Sequence, residues 1–269
     1  MNLMDLRQTP HLSASAVSDY ISCGLLYKLG RVDKKKPDFK SDALVFGTVI
    51  HAALAMFYTA LSQGHKMTAK ELQDHFHALW EKTTDDREDI KFKAGKDWNI
   101  LLLEGKELLG AFHNQFVPES ATIIGVEEAF SFNIPGLELP VIGAFDLVME
   151  DESGVITIVD HKTSSRAYAD SDVDKSMQMT LYQMAARANG FNNREILLRF
   201  DCLIKTKTPK FEQYYTTRTV KDETRTARKL MAVWDGIKKG VFVPNEENWR
   251  CAGCSYKSSC EEWFAGGGA

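Results

Sequence analysis

Apolar and polar positions along the chain fall into blocks with two different periods. Near the middle, VIGAFDLVM at 141–149 and VITIVDH at 155–161 are apolar runs separated by the polar segment Glu150-Asp151-Glu152-Ser153-Gly154. Runs of this length bounded by turn residues predict the two strands of a β-hairpin. Side chains of a strand alternate faces, so Asp160 and Lys162 share one. A three-residue loop, Glu152-Ser153-Gly154, with the glycine supplying a positive φ, pairs Asp151 with Val155 and sets Asp146 opposite Asp160. Burying an uncompensated carboxylate is costly, so these charges need partners.

Flanking segments carry the helical period. Residues 13–29 suit a helix capped by Ser13 or Ser15, with Val17, Tyr20, Ile21 and Gly24 near one side. After a polar linker over 31–40, residues 42–61 have the apolar density of a buried helix, with Ser41 or Asp42 as its cap and His51 in its middle. Residues 68–116 read as two or three amphipathic helices, separated by a charged stretch over 83–96. His75, His77 and His113 in this region read as surface or packing residues.

Residues 121–134 form a strand ahead of the hairpin. A helix over 172–189 follows it, closed by Gly190 and carrying Gln178, Leu181, Tyr182 and Ala185 on one face. Strands over 195–205 and 212–220 come next. A last helix over 222–239 turns Leu230, Val233, Trp234 and Ile237 inward. Residues 266–269 read as a tail apart from the fold.

At 269 residues there is ample material for a large core. No run is read as approaching membrane-spanning length, and the N-terminus lacks a cleavable basic and hydrophobic arrangement, so the expectation is a cytoplasmic protein with no membrane partner. The formal net charge of −4 does not by itself suggest nucleic acid. Charge is uneven, however. Lys34-Lys35-Lys36, Lys205-x-Lys207-x-x-Lys210, Arg225-x-x-Arg228-Lys229 and Lys238-Lys239 are basic clusters that permit such binding.

Two carboxylates and a lysine on one buried strand face are the components of a divalent-cation site with an adjacent base or charge stabiliser. Taken alone, Asp160-x-Lys162 also suits a structural ion pair. Gly143-x-x-Asp146 followed by Asp160-x-Lys162-Thr163 resembles the core motif of the PD-(D/E)xK nuclease superfamily, and in particular its RecB-type branch. Gly47-Thr48-x-x-His51-x-x-Leu54 resembles that branch's first motif, whose histidine ligates metal. Gln178-x-x-x-Tyr182 resembles a later motif beside the active site and the DNA. Glu127 matches a glutamate on the strand before the metal-binding aspartate, or Glu128 does if the register differs by one. Gly24 stands where the branch usually has proline.

The resemblance implies an α/β fold, a restriction-endonuclease-like core with a mixed central sheet flanked by helices. It makes 1–269 a single nuclease domain with a helical insertion over 66–117. It also implies that His51, Asp146, Asp160 and the backbone carbonyl of His161 hold Mg²⁺ or Mn²⁺, that Lys162 orients or deprotonates water and offsets charge, and that Gln178 and Tyr182 position substrate.

Five cysteines, four of them at the chain ends, argue for ligation in a reducing compartment. Cys202 reads as a small buried apolar residue. Cys251-x2-Cys254-x5-Cys260 leaves a four-coordinate site one ligand short, and Cys23 can complete it. A three-plus-one arrangement is compatible with a 4Fe-4S cluster, with Zn²⁺ as the alternative. The spacing resembles AddB-type subunits and CRISPR-associated RecB-like exonucleases, in which such a cluster is bound. Joining Cys23 to Cys251 closes a loop of more than two hundred residues, which by analogy with disulfides is worth on the order of 5 kcal/mol.

The combined reading is a metal-dependent DNA exonuclease of recombination, repair or CRISPR-type processing, with recombination or CRISPR adaptation proteins as candidate partners. The alternatives are a DNA-binding or adaptor subunit that keeps the nuclease fold, and an iron–sulfur redox protein.

Overall fold

The two central runs form strands β4 (Val141–Glu150) and β5 (Ile156–Ser164) of a five-stranded sheet. The computed structural model describes residues 2–117 and 119–266, so most of the tail at 267–269 lies outside the described residues. In the hairpin, Asp151 N–H donates to Val155 O at 3.1 Å, and Gly154 sits at φ +85°. This is the three-residue loop that the alternation requires, and the register Leu147↔Val159 to Glu150↔Ile156 follows from it.

Strand β3 (Thr122–Phe132) pairs antiparallel with β4. On the other side, β6 (Ile196–Ile204) runs parallel to β5, and β7 (Lys210–Thr216) runs antiparallel to β6. The expected mixed sheet is therefore present, in the order β3-β4-β5-β6-β7.

Helices cover both faces, because strand after strand is apolar on both sides. One face carries α4 (Asp42–Ser62), α5 (Ala69–Thr84) and α6 (Trp98–Gln115), which bury Phe46, Leu54, Phe76, Trp80 and Phe112 against Leu147, Met149 and Val159. Two short parallel strands, β1 (Lys40–Ser41) and β2 (Ile90–Lys91), tie this helical segment together at its base. The other face packs α2 (Ala14–Ser22), α8 (Met177–Ala186) and α9 (Val220–Lys238) against Phe145, Val148 and Ile158.

Three expectations are corrected. The helix over 13–29 is interrupted at Cys23, whose φ of −165° is extended, before α3 (Gly24–Tyr27) resumes. Gly24 donates its N–H to Val243 O, and a Cβ there would lie 2.7 Å from Val243 N, so the returning C-terminal chain pulls this backbone out of the helix. The helix over 172–189 is split into α7 (Asp170–Asp174) and α8, because Ser176 caps the first turn of α8. Finally, α4 is 21 residues long and apolar enough to cross a bilayer. Here Phe46, Ile50, Ala53 and Leu54 are fully buried in the core, and that burial accounts for the apolar density.

The helix α1 (Leu3–Leu6) leads to Leu12, which forms a parallel bridge with Val141 at the start of β4. Behind that bridge Gly143 packs face to face with Phe130, and an added Cβ would fall 2.4 Å from the ring. Phe130 is buried among Phe132, Phe145 and Tyr182 and has nowhere to go. Replacement Gly143→Ala is therefore expected to cost about 1–3 kcal/mol. A urea unfolding curve superimposable on the wild type would contradict this packing.

Candidate active site

Strands β4 and β5 stay paired from the hairpin turn only as far as Leu147 and Val159. Beyond that pair they separate: β4 continues beside β3 and takes the bridge from Leu12, while β5 continues beside β6. Asp146 and Asp160, next in register, stand at this fork. The Asp146 carboxylate reaches across it, accepting the main-chain N–H of His161 at Oδ2 at 2.7 Å. Both aspartates are buried, at 8% and 1% exposure, so each must be compensated.

Different groups compensate each one. His51 Nδ1, from the middle of α4, lies 3.3 Å from Asp146 Oδ2. Burial pushes the Asp146 carboxyl up, but the hydrogen bond and charge of His51 outweigh it and hold the group below its usual range. His51 is raised in turn, because Asp146 overcomes the effect of its own burial.

Asp160 meets three donors. Lys162 Nζ is 2.6 Å from its Oδ2, and Gln178 Nε2 and the Tyr182 hydroxyl donate to its Oδ1 at 2.7 and 3.1 Å. Lys162 also donates to Gln178 Oε1 at 2.9 Å. Burial still raises the Asp160 carboxyl, while Asp160 holds the Lys162 ammonium above its usual value despite burial. The helical spacing of Gln178 and Tyr182 thus places both on one carboxylate.

Glu127 completes the cluster. It stands opposite Asp146, between the pairs Val126↔Leu147 and Glu128↔Phe145, and its φ is +51°. A left-handed glutamate costs on the order of 1–2 kcal/mol. The sheet changes face here: Val126 and Leu147 look toward the α4 side, whereas Phe130 and Phe145 look toward the α8 side. Crowding by protein, and then the Asp146 charge, push the Glu127 carboxyl up to about 7. Glu128 pairs with Phe145 and lies outside the cluster.

One ligand atom each from His51, Glu127 and Asp146 lie within 4.8 Å of one another. An imidazole nitrogen and two carboxylate oxygens form a donor set suited to Mg²⁺ or Mn²⁺. Asp160 stands beside this set, and both its oxygens are engaged by Lys162, Gln178 and Tyr182.

The sequence carried no sign of the wall behind His161. Its ring stacks on Tyr58 with centroids 5.4 Å apart and meets His51 edge-on. Complete burial drives its pKa down to about 3, so it is a neutral ring, and neither ring nitrogen has a hydrogen-bond partner among the described residues. Cys202 is fully buried and its thiol is pushed up to about 12 by burial, as suits a packing residue. His113 bonds the Met67 carbonyl and serves packing.

At the chain ends, Asn245 and Asn248 both donate to Ser22 O, and Ser258 N–H donates to Asp38. Cys23, Cys251, Cys254 and Cys260 are partly buried here. Burial first, and then the neighbouring thiols including Cys23, raise Cys254 and Cys260.

The description "PD-(D/E)XK nuclease superfamily" matches residues 11–261 of the chain. Among solved structures, the chain is similar to a provisionally assigned exonuclease from Eubacterium rectale, at 14% identity and a TM-score of 0.53. The match covers 90% of this chain and 87% of the other, a likeness of fold. The structure of SSO0001, at 14% identity, 87% and 92% coverage and a TM-score of 0.34, is too distant to support an argument. No curated protein matches the sequence.

Gln178 bonds both Lys162 and Asp160, so Gln178→Ala leaves each one bond short. The variant is expected to lose about 1–3 kcal/mol of stability. Chemical denaturation measures this, and an undiminished midpoint would show the bridge to be dispensable.

Proposed function

We propose that this chain, which belongs to the PD-(D/E)XK nuclease superfamily, is a divalent-metal-dependent deoxyribonuclease that hydrolyses phosphodiester bonds from DNA ends. The observation that carries the proposal is the convergence of His51, Glu127 and Asp146 within 4.8 Å, beside the Lys162–Asp160 pair at 2.6 Å. The fold likeness to a provisionally assigned exonuclease supports action at ends. Recombination, repair or CRISPR-type processing is the proposed setting, with proteins of those pathways as partners.

His51, Asp146 and Glu127 are assigned as ligands of Mg²⁺ or Mn²⁺, with Asp160 and the His161 carbonyl completing the shell. When bound, the ion lowers the pKa of its water and polarises the phosphate. The chain's own groups do the rest. The His161 N–H and His51 fix the Asp146 carboxylate in one orientation. Lys162, aligned by Asp160 and Gln178, offers its ammonium to the phosphate oxygens, where negative charge grows in the transition state. Gln178 and Tyr182 hold that aspartate–lysine pair in place, which makes them positioning residues.

We propose further that Cys23, Cys251, Cys254 and Cys260 bind a 4Fe-4S cluster that clasps the chain ends of a single domain, with 66–117 as its helical insertion. Burial, and then Cys23, Cys251 and Cys254, raise the Cys260 thiol, and four neighbouring thiolates are a donor set suited to such a cluster.

Digestion of end-labelled DNA with and without Mg²⁺ or Mn²⁺ tests the activity. Asp146→Ala and Lys162→Ala are each expected to lower the rate by on the order of 10²–10³-fold with the fold retained by circular dichroism, at a lowered thermal midpoint in Lys162→Ala, which leaves the buried Asp160 without its cation. Near wild-type cleavage by either variant would refute the assignment. Anaerobically purified protein is expected to contain about four irons per chain and to lose them, with its visible absorption, in Cys23→Ser. Stoichiometric zinc in place of iron would sink the cluster proposal.

A further inference from the structure

We infer that Arg218 is a positioning residue for the candidate active site: its guanidinium sets the placement of α8 and, through Gln178 and Tyr182 on that helix, the placement of the Asp160–Lys162 pair. The inference rests on the nuclease reading and adds a residue to it. Arg218 stands between the end of β7 at Thr216 and Thr219, which caps α9. It is buried, at 7% exposure.

Three of its five side-chain hydrogen bonds reach the junction of α7 and α8. Nε donates to the Thr180 hydroxyl at 3.0 Å, and Nη2 donates to the carbonyls of Val173 and Ser176 at 2.8 and 3.3 Å. The other two fix the fork to the end of β7, where Nη1 donates to the Thr216 hydroxyl and to Thr217 O at 2.5 and 2.8 Å. None of these acceptors is a carboxylate, so the buried charge is met by dipoles aimed at it. Burial pulls the guanidinium below its ordinary pKa, against the charges of Asp174 and Asp222. Five N–H groups in a rigid fork fill this site, whereas a lysine brings three donors on one nitrogen.

The main chain of the same residue holds α8 a second time. Gln183 Nε2 donates to Arg218 O at 3.2 Å and to Glu223 Oε1 at 2.7 Å. Between the bonded residues Ser176 and Thr180 lies Gln178, whose contacts with Asp160, Lys162 and Tyr182 span 2.7, 2.9 and 3.0 Å. A shift of about 1 Å in this turn takes such contacts out of hydrogen-bond range. His51, Glu127 and Asp146 stand on α4, β3 and β4, so the same shift leaves them in place. Arg218 therefore bears on the lysine and its aspartate, not on the three ligands gathered elsewhere.

Steady-state cleavage and Mn²⁺ binding by the full chain test this. Arg218→Lys is expected to lower kcat by about tenfold or more, with KM and Mn²⁺ affinity unchanged. In a Gln178→Ala/Tyr182→Phe background it is expected to lower kcat no further, because the groups through which it acts are gone. Thr180→Val removes one acceptor and is expected to show the same pattern at smaller size; it carries the test if Arg218→Lys does not fold. The side-chain amide signals of Gln178 in a ¹H–¹⁵N spectrum report placement without turnover, and are expected to shift and to exchange faster with solvent in both variants. Unchanged kcat well below the thermal midpoint, a loss confined to KM, unmoved Gln178 signals, or an undiminished loss in the Gln178→Ala/Tyr182→Phe background would each overturn the inference. Displaced Gln178 signals in a chain whose wild type shows no metal-dependent cleavage would overturn only the nuclease reading.

Discussion

Two carboxylates are buried side by side where β4 and β5 separate, and much of the surrounding structure is arranged so that both remain tolerable. Each carboxylate has its own solution. Asp146 is satisfied by a strand N–H and by an imidazole from across the sheet. Asp160 is satisfied by a lysine two residues along and by two donors from one helix face. Removing any one of these partners would leave charge in a low-dielectric setting, so α4, β5 and α8 are held in register by the same few bonds. The stacked rings of Tyr58 and neutral His161 close the cluster on the α4 side.

The same fork opens the molecule. If β5 stayed paired with β4 to its end, Asp146 would be closed off by a strand. Because β5 stays with β6 and parts from β4 after Val159, the free side of β4 is bridged, among the described residues, at Leu12, and the rest becomes the wall of a groove. The distortion at Glu127 belongs to this geometry. Both β3 and β4 change face at the Glu127 and Asp146 positions, so the glutamate turns toward the cluster and not along the sheet. Local strain is thereby concentrated at the position where three ligand-type groups meet.

The chain ends are joined by hydrogen bonds and by Phe242, which packs against Tyr20 and Tyr27. Asn245 and Asn248 on Ser22, Gly24 on Val243, and Asp38 on Ser255 and Ser258 bring the N-terminal and C-terminal segments together around four partly buried thiols. Polar clasps of this kind contribute modestly one by one. A shared cross-link would supply what they lack, and Cys23 sits where the helix breaks to meet the returning chain.

The order of strands and helices, the hairpin loop and the register that carries Asp146 toward Asp160 were legible in the sequence. Each depends on a short-range rule: alternation with period two, a glycine at positive φ, a capping serine. The shared face of Gln178 and Tyr182 was legible for the same reason. Other features depended on segments far apart in the chain. The break at Cys23 is imposed by Val243, the split of β4 from β5 by Leu12 and β6, and the seal over His161 by Tyr58. The left-handed Glu127 leaves no mark in its residue type, because nothing about a glutamate marks it for that conformation. Local backbone and side-chain preferences act within a few residues, so the sequence determined the elements and their faces. Where the strands part, and therefore which charges meet, was decided only when distant segments competed for the same edges and the same buried space.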